Sequence, residues 1–162
     1  MTIHARRNNS IDLMSMIQVG EGETLEFKSG FGKEAVETLS AFANSDGGTI
    51  LIGVNDRGEI KGVRFGPEKI QQWINQVKSS TSPSIIPDAD ILSHRDKTVV
   101  ALSVASFPVK PVSFKGKYYK RVHNSNHLMD LSEIADEHLK SMNLSWDFAP
   151  DPGHGIEDIS LD

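Results

Sequence analysis

Three acidic residues and a lysine near the start of the chain have the types and spacing of a metal-dependent nuclease site. Glu21, Glu26 and Lys28 fall within eight residues, and Glu26 and Lys28 share one face of a strand that apolar–polar alternation predicts for residues 24–28. Asp56, after a second predicted strand, could supply a third oxygen ligand. Such carboxylates would hold Mg²⁺ or Mn²⁺, and the lysine would orient or activate water. The alternative, which spacing alone favours, is an ion pair on the solvent face of an edge strand.

A second candidate site is a basic stretch without acidic residues. Six Lys and Arg residues, and no Asp or Glu, lie between Lys97 and Met129. A hairpin predicted around residues 115–117 would set cations along a phosphate backbone, with aromatic rings for stacking and uncharged donors for phosphate or sugar. The predicted nucleic-acid contacts are Lys110, Lys115, Lys117, Tyr118, Tyr119, Lys120, Arg121, Asn124, Ser125 and Asn126. The alternative is a solvated hairpin whose lysines only keep an edge strand soluble. The absence of acids favours the functional interpretation.

Other kinds of site are disfavoured. The glycines at residues 30–32 precede a helix, but the Ser or Thr that follows the lysine of a phosphate-binding loop is missing. His123 and His127 have no obvious third metal ligand, and no Ser-His-Asp set is discernible. Because the chain has no cysteine, it can form neither a disulfide nor a thiolate zinc site. We predict no cofactor, apart from Mg²⁺ or Mn²⁺ under the nuclease alternative.

Composition and charge place the chain among ordinary single domains. Its 162 residues are 38% hydrophobic, and no apolar run approaches the roughly 20 residues of a membrane helix. We therefore expect a soluble cytoplasmic protein that does not bind a membrane, which the lack of cysteine also fits. The net charge is −5, but residues 145–162 hold five acids and no Lys or Arg. The other 144 residues therefore balance, with 17 basic and 17 acidic side chains.

The elements that must position these residues follow from hydrophobic periodicity and turn residues. Helices are predicted near residues 10–17, 33–43, 67–78 and 130–139. Strands are predicted at residues 24–28, 49–54, 59–63, 89–92, 98–105, 112–114 and 118–122. Asp130 and Glu133 have the spacing of a capping box at the start of the last helix. Helices and strands in mixed order along the chain, with hairpins between strands, indicate an α+β fold in which helices pack on a mixed, largely antiparallel sheet.

Several motifs together resemble the Schlafen/AlbA-type domain. The first is Glu21–Lys28, in which acids lead into Glu-Phe-Lys. The most specific block reads Leu-Ser-Ala-Phe-Ala-Asn-Ser-Asp-Gly-Gly at residues 39–48, followed by Thr-Ile-Leu-Ile-Gly-Val-Asn-Asp at 49–56 and Gly-Glu-Ile-Lys-Gly-Val at 58–63. Tyr-Tyr-Lys-Arg at 118–121 with Ser125 and Asn126 is similar to a second family element. This family, also called the divergent AAA-associated domain, is common at the N-terminus of bacterial transcriptional regulators labelled RecG-like and helicase-related.

The resemblance implies an α+β domain that binds nucleic acid and is usually followed by a winged-helix region. Schlafen relatives with RNase activity use two glutamates and an aspartate, which fall on Glu21, Glu26 and the pair Asn55-Asp56. If the family ligand belongs at position 55, the metal site is weakened by the asparagine there. If it belongs at position 56, the site survives.

We thus expect three parts in the chain: an N-terminal segment with a short helix at residues 1–19, a Schlafen/AlbA-like domain at 20–142, and an acidic linker or tail containing Pro and Gly at 143–162. The leading functional hypothesis is a non-enzymatic nucleic-acid-binding module, for DNA in particular, of a transcriptional regulator. Lys115, Lys117, Lys120 and Arg121 would contact phosphates. The alternatives are a divalent-metal nuclease and a domain for protein interaction or oligomerisation, including a homodimer.

Overall fold

The computed structural model describes residues 3–5, 10–64 and 66–148. Within these residues the helices are α1 (Ser10–Val19), α2 (Lys33–Ala43), α3 (Pro67–Ser80) and α4 (Leu131–Phe148). The strands are β1 (Ile3–Ala5), β2 (Leu25–Lys28), β3 (Gly48–Ile52), β4 (Thr81–Ser82), β5 (Asp88–His94), β6 (Lys97–Val104), β7 (Ser113–Phe114), β8 (Lys117–Val122) and β9 (Ser125–Leu128). No helix in the described part of the chain is both long enough and apolar enough to span a bilayer.

The strands form two sheets. The larger sheet has the order β1-β5-β6-β3-β2, with parallel pairs at its two edges and antiparallel pairs at its centre. The smaller sheet has the order β4-β7-β8-β9 and is antiparallel throughout. The prediction of an α+β fold with mixed, largely antiparallel pairing is confirmed, and its strands are divided between two sheets.

Two hydrophobic clusters explain why β3, an interior strand of the larger sheet, is apolar on both faces. Ile50 and Ile52 of β3 pack with α2 and α3, whereas Leu51 between them packs with Leu13 of α1 on the other side. Since successive side chains of a strand point to opposite faces, a strand covered on both faces reads as a continuous apolar run. The prediction of a buried strand at residues 49–54 is therefore confirmed for β3.

A left-handed backbone at one position and a close side-chain ring at the next explain the two glycines after α2. Gly47 has φ +83°, and its N–H donates a hydrogen bond to Phe42 O at 2.8 Å. A Cβ on Gly48 would lie 2.7 Å from the Phe42 ring, so a larger residue does not fit without displacing this ring. Gly47 thus adopts the left-handed conformation that commonly ends a helix.

Several boundaries differ from the predictions. Residues 3–5, for which no strand was predicted, form β1 at the edge of the larger sheet, and β9 was not predicted either. The strand predicted at residues 59–63 is wrong, because this segment makes only one bridge, between Val54 and Ile60. Helix α4 continues through Phe148, beyond the irregular tail predicted from residue 143, and residues 149–162 lie outside the described residues.

The capping box at the start of α4 is confirmed. The Glu133 N–H donates to Asp130 Oδ1 at 2.8 Å, and the Asp130 N–H donates to Glu133 Oε1 at 3.4 Å. These reciprocal bonds satisfy two N–H groups that the first helical turn leaves without partners.

Candidate functional site

Arg121 lies in the interior, between the two sheets. Its side chain is 1% exposed, and its guanidinium group contacts Glu26 Oε2 at 2.6 Å. The same group donates to the backbone oxygens of Gly22 at 3.0 Å and Leu25 at 3.4 Å. It also lies 5.0 Å from the centre of the Phe42 ring, which is a cation–π distance. Arg121 therefore ties β8 to β2 and α2, and the prediction that it faces a phosphate backbone is wrong.

Glu26 is also interior, which corrects the prediction that it shares a solvent face with Lys28. All of Leu25, Glu26 and Phe27 are buried, because β2 is covered by Arg121 on the side where solvent was expected. Lys28 pairs instead with Glu34 of α2, at 3.2 Å.

The Glu26 carboxyl group holds its proton unusually tightly. Burial raises its pKa, and so does a hydrogen bond with the carboxyl group of Glu21; together they outweigh the charge of Arg121 and bring the pKa from 4.5 to about 7. The other oxygen contact of Glu21 is a hydrogen bond from the Phe27 N–H at 2.9 Å, on the outer edge of β2. The Glu26 carboxyl group therefore lies between the Glu21 carboxyl group and the Arg121 guanidinium group.

Stability is expected to fall as the pH rises from about 4.5 to about 7, because Glu26 binds a proton more tightly in the folded chain. In this window the unfolded chain has already lost the proton that the folded chain still holds. The expected loss in the free energy of unfolding is on the order of 2 kcal/mol. Urea unfolding at a series of pH values measures it, with Glu26→Gln as the variant that cannot titrate. The same pH dependence in both proteins would contradict the role of Glu26.

The predicted metal-binding set is not assembled. Glu21 and Glu26 are neighbours, but Asp56 is exposed in the turn that follows β3. The residue of β3 that pairs with Glu26 is Ile50, so Asp56 lies beyond this pair. No group of three or more His, Cys, Asp or Glu side chains suited to a metal ion occurs among the described residues. The oxygens of Glu26 are also engaged by Arg121 and Glu21. The residues present therefore do not fit the metal site predicted from Glu21, Glu26 and Asp56, with Lys28 beside it.

The basic stretch does not form one exposed strip. Lys120 and Arg121 point to opposite faces of β8, because neighbouring side chains of a strand alternate. Lys120 pairs with Glu133 of α4, and both side chains are partly buried. Lys110 donates to Ser106 Oγ and to Phe107 O, each at 2.7 Å. The expectation of a coherent positive strip is therefore wrong at these cations.

Two of the uncharged contacts predicted for nucleic acid also have internal partners. Asn126 accepts a hydrogen bond from Arg121 Nη1 at 2.9 Å and donates to Thr38 Oγ1 at 2.9 Å. The Tyr119 ring packs against the hydrophobic cluster that contains Ile50 and Ile52. Burial raises the pKa of its hydroxyl group most, and the negative charge of Glu37 raises it further. The remaining members of the predicted set, Asn124, Ser125 and the half-buried Tyr118, are accessible.

Asn44, inside the most specific motif, joins α2 to the smaller sheet. Its amide group donates to Val112 O and Tyr119 O, each at 2.8 Å, and its Oδ1 atom accepts from the Val112 N–H at 2.6 Å. The side chain is buried, so these three bonds have no water to replace them. Phe42, Asn44 and Gly48 therefore act in packing, which explains this motif without a direct role in binding.

We give the name basic corner to three exposed lysines in the last turn of α3 and around the turn between β7 and β8: Lys78, Lys115 and Lys117. Lys115 and Gly116, with φ of 49° and 79°, make the two-residue turn between β7 and β8, as in a type I′ hairpin. The Lys115 N–H donates to Ser80 O at 3.1 Å, which holds the hairpin tip against the last residue of α3, two positions after Lys78. In the part of the chain described, none of the three lysines forms an ion pair.

Sequence reasoning missed Lys78 because it lies on another element, 37 residues before Lys115. The signal that could have found it is the Ser- and Pro-rich segment after α3, which allows the helix end to meet a later strand. The pairing of Arg121 with Glu26 has no comparable signal, since these residues are 95 positions apart.

Comparison with known proteins agrees with this fold. The structure is similar to the DIP2311 protein of Corynebacterium diphtheriae, with a TM-score of 0.61 and 16% identity over 81% of this chain and 29% of that one. It is also similar to the N-terminal domain of a RecG-related protein of Nitrosomonas europaea, with a TM-score of 0.51 and 23% identity over 78% of this chain and 95% of that domain. This chain thus spans less than a third of the DIP2311 protein. A family model described as Schlafen, AlbA_2 matches residues 21–130, and the chain therefore belongs to the Schlafen AlbA_2 family.

Proposed function

We propose that the domain binds the phosphate backbone of DNA through the basic corner and serves as the DNA-binding module of a longer transcriptional regulator. Membership of the Schlafen AlbA_2 family supports a nucleic-acid-related role. The observation that carries the proposal is that Lys78, Lys115 and Lys117 are exposed and have no carboxylate partner among the described residues. The other cations predicted to contact phosphate are already paired or hydrogen-bonded within the protein.

The proposed contact is electrostatic. Lysines that approach phosphates release condensed counterions, so affinity falls as salt rises and depends little on base sequence. The short turn at Lys115-Gly116 limits the motion of the tip, which reduces the conformational entropy lost on binding. Tyr118, next to Lys117, is the ring available for stacking, and Asn124 and Ser125 are exposed donors at the other end of β8.

Removal of the basic corner is expected to weaken binding to duplex DNA and to reduce its salt dependence. For three phosphate contacts, the slope of log affinity against log salt should lose about 2.7 units in the variant Lys78→Ala/Lys115→Ala/Lys117→Ala. Affinity near 50 mM salt should fall by about tenfold or more. Fluorescence polarisation with a labelled duplex measures both quantities. EDTA should leave binding unchanged, because the proposed contact uses no metal.

A matched variant tests whether position, and not total charge, matters. Lys33→Ala/Lys120→Ala/Lys140→Ala removes three positive charges outside the basic corner and should keep most of the affinity and slope. Equal losses in the two variants would contradict the basic corner as the contact. Tighter binding to RNA than to DNA would overturn the choice of DNA, and a dimer without affinity for either would favour the oligomerisation alternative.

A further inference from the structure

A groove of about 570 Å³ lies where the segment between β3 and α3 crosses the start of β6. Three cations line it, and we call this group the basic groove: Lys61, Arg64 and Lys97. Asp96 is the acidic residue in its lining. These cations are distant in sequence from the basic corner, and the proposed function above does not use them.

Backbone contacts hold the groove in place. The N–H groups of Lys61 and Gly62 both donate to Gly53 O, each at 2.9 Å, and the Val63 N–H donates to Thr98 O at 2.8 Å. A Cβ on Gly53 would lie 3.1 Å from the backbone of Gly62. The segments around these two residues are therefore so close that a side chain at Gly53 would have little room. Gly53 and Gly62 both have positive φ, at 111° and 77°, which glycine adopts without strain.

The cations of the basic groove are available to a ligand. Arg64 forms no ion pair with any residue that the structure describes. Lys97 donates one hydrogen bond, to Ile60 O at 3.2 Å, and its ammonium group carries three donors. Lys61 pairs with Glu59 at 3.5 Å, and both side chains are about half exposed, so this pair is weak.

The surroundings of Glu59 indicate a local positive potential. A hydrogen bond from Asn55 lowers the pKa of Glu59, and the charge of Lys61 lowers it further, with a smaller contribution from Lys97. Asp96 and Glu59 offset part of this charge, but these two carboxylates are outnumbered by the three cations of the basic groove. The groove therefore attracts an anion more than it attracts a cation.

We propose that the basic groove is a second phosphate-contact site for DNA, and that one duplex lies along α3 from the basic groove to the basic corner. Arg64 lies three residues before Pro67, the first residue of α3, and Lys78 lies in its last turn. The 14 residues of α3 span about 21 Å at 1.5 Å per residue. This length corresponds to about six base-pair steps of duplex DNA, at about 3.4 Å per step along the DNA axis. The inference rests on the proposed function, because it takes DNA as the ligand.

Salt titrations with a duplex longer than this span test the inference. The variant Lys61→Ala/Arg64→Ala/Lys97→Ala should lower the salt slope by about 2.7 units, as the corner variant does. In mass spectrometry after lysine acetylation, DNA should protect Lys61 and Lys97 and leave Lys140 as reactive as in the free protein. Circular dichroism of the variant shows whether the fold is retained. If the variant does not keep its fold, the acetylation experiment on the wild-type protein decides the question.

The outcomes separate this inference from the proposed function. A lower slope in the corner variant alone, with Lys61 and Lys97 unprotected, would overturn the second site and leave the basic corner as the contact. No change in either variant would overturn both proposals. A lower slope in the groove variant alone would contradict the basic corner, and it would also contradict a duplex that reaches both ends of α3.

Discussion

Replacement of Arg121 by methionine is expected to lower the free energy of unfolding by about 3–5 kcal/mol, because it leaves a buried carboxyl group without its partner. Methionine keeps an unbranched apolar stem but loses the contact with Glu26 at 2.6 Å and the bonds to Gly22 O and Leu25 O. It also leaves Asn126 Oδ1 without its guanidinium donor. Urea unfolding of Arg121→Met and the wild type measures the difference.

Lys120→Met is the matched control, because Lys120 is the neighbouring cation on the opposite face of β8. Its ion pair with Glu133 is partly exposed, and loss of the pair should cost under about 1 kcal/mol. In a double-mutant cycle, Glu26→Gln should cost much less when Arg121 is already methionine. Similar small losses for Arg121→Met and Lys120→Met would contradict the structural role of Arg121.

Replacement of Asn44 by alanine is expected to lower the free energy of unfolding by about 2–4 kcal/mol, because two buried backbone groups and one partly buried backbone group lose their partners. These groups are Val112 N–H, Val112 O and Tyr119 O, at 2.6–2.8 Å from the Asn44 side chain. Alanine also leaves a small cavity between α2 and the smaller sheet. Thermal or urea unfolding of the variant measures the loss.

Asn124→Ala serves as the control for this substitution. Asn124 is exposed in the turn between β8 and β9, and its removal should change stability by under about 0.5 kcal/mol. An Asn44→Ala protein as stable as Asn124→Ala would contradict the bridging role. Hydrogen exchange of the Val112 amide gives a local test, since this N–H should lose protection in Asn44→Ala.

These two substitutions concern residues that belong to motifs of the family, yet the structure uses both in packing. Arg121 and Glu26 join the two sheets, and Asn44 joins α2 to the smaller one. Most of the cations proposed to contact DNA lie outside these motifs, on a hairpin tip, a helix end and a connecting segment, and Lys61 is the one inside a motif. Glu26, Asn44 and Arg121 therefore stabilise the fold, whereas exposed cations at the surface carry the proposed binding.

Local regularities were sufficient to predict most elements from the sequence. The apolar stripes of α2 and α3 have helical spacing, and their residues are buried as this spacing requires. The turn at Lys115-Gly116 and the capping box at Asp130 and Glu133 depend on neighbouring residues, so they were also predictable. The strand predicted at 59–63 was wrong because its N–H groups bond across to Gly53 and Thr98 instead of forming a regular ladder.

Which cations are paired with carboxylates could not be predicted from the sequence. An excess of Lys and Arg in one stretch can be counted, but a count does not show which carboxylates fold against that stretch. Glu26 reaches Arg121 from 95 positions away, and Glu133 reaches Lys120 from a later helix. Strand alternation then sends these two adjacent cations to opposite faces. Pairing between distant segments thus decided which charges stay free, because Coulomb interactions depend on distances in space and not on separation along the chain.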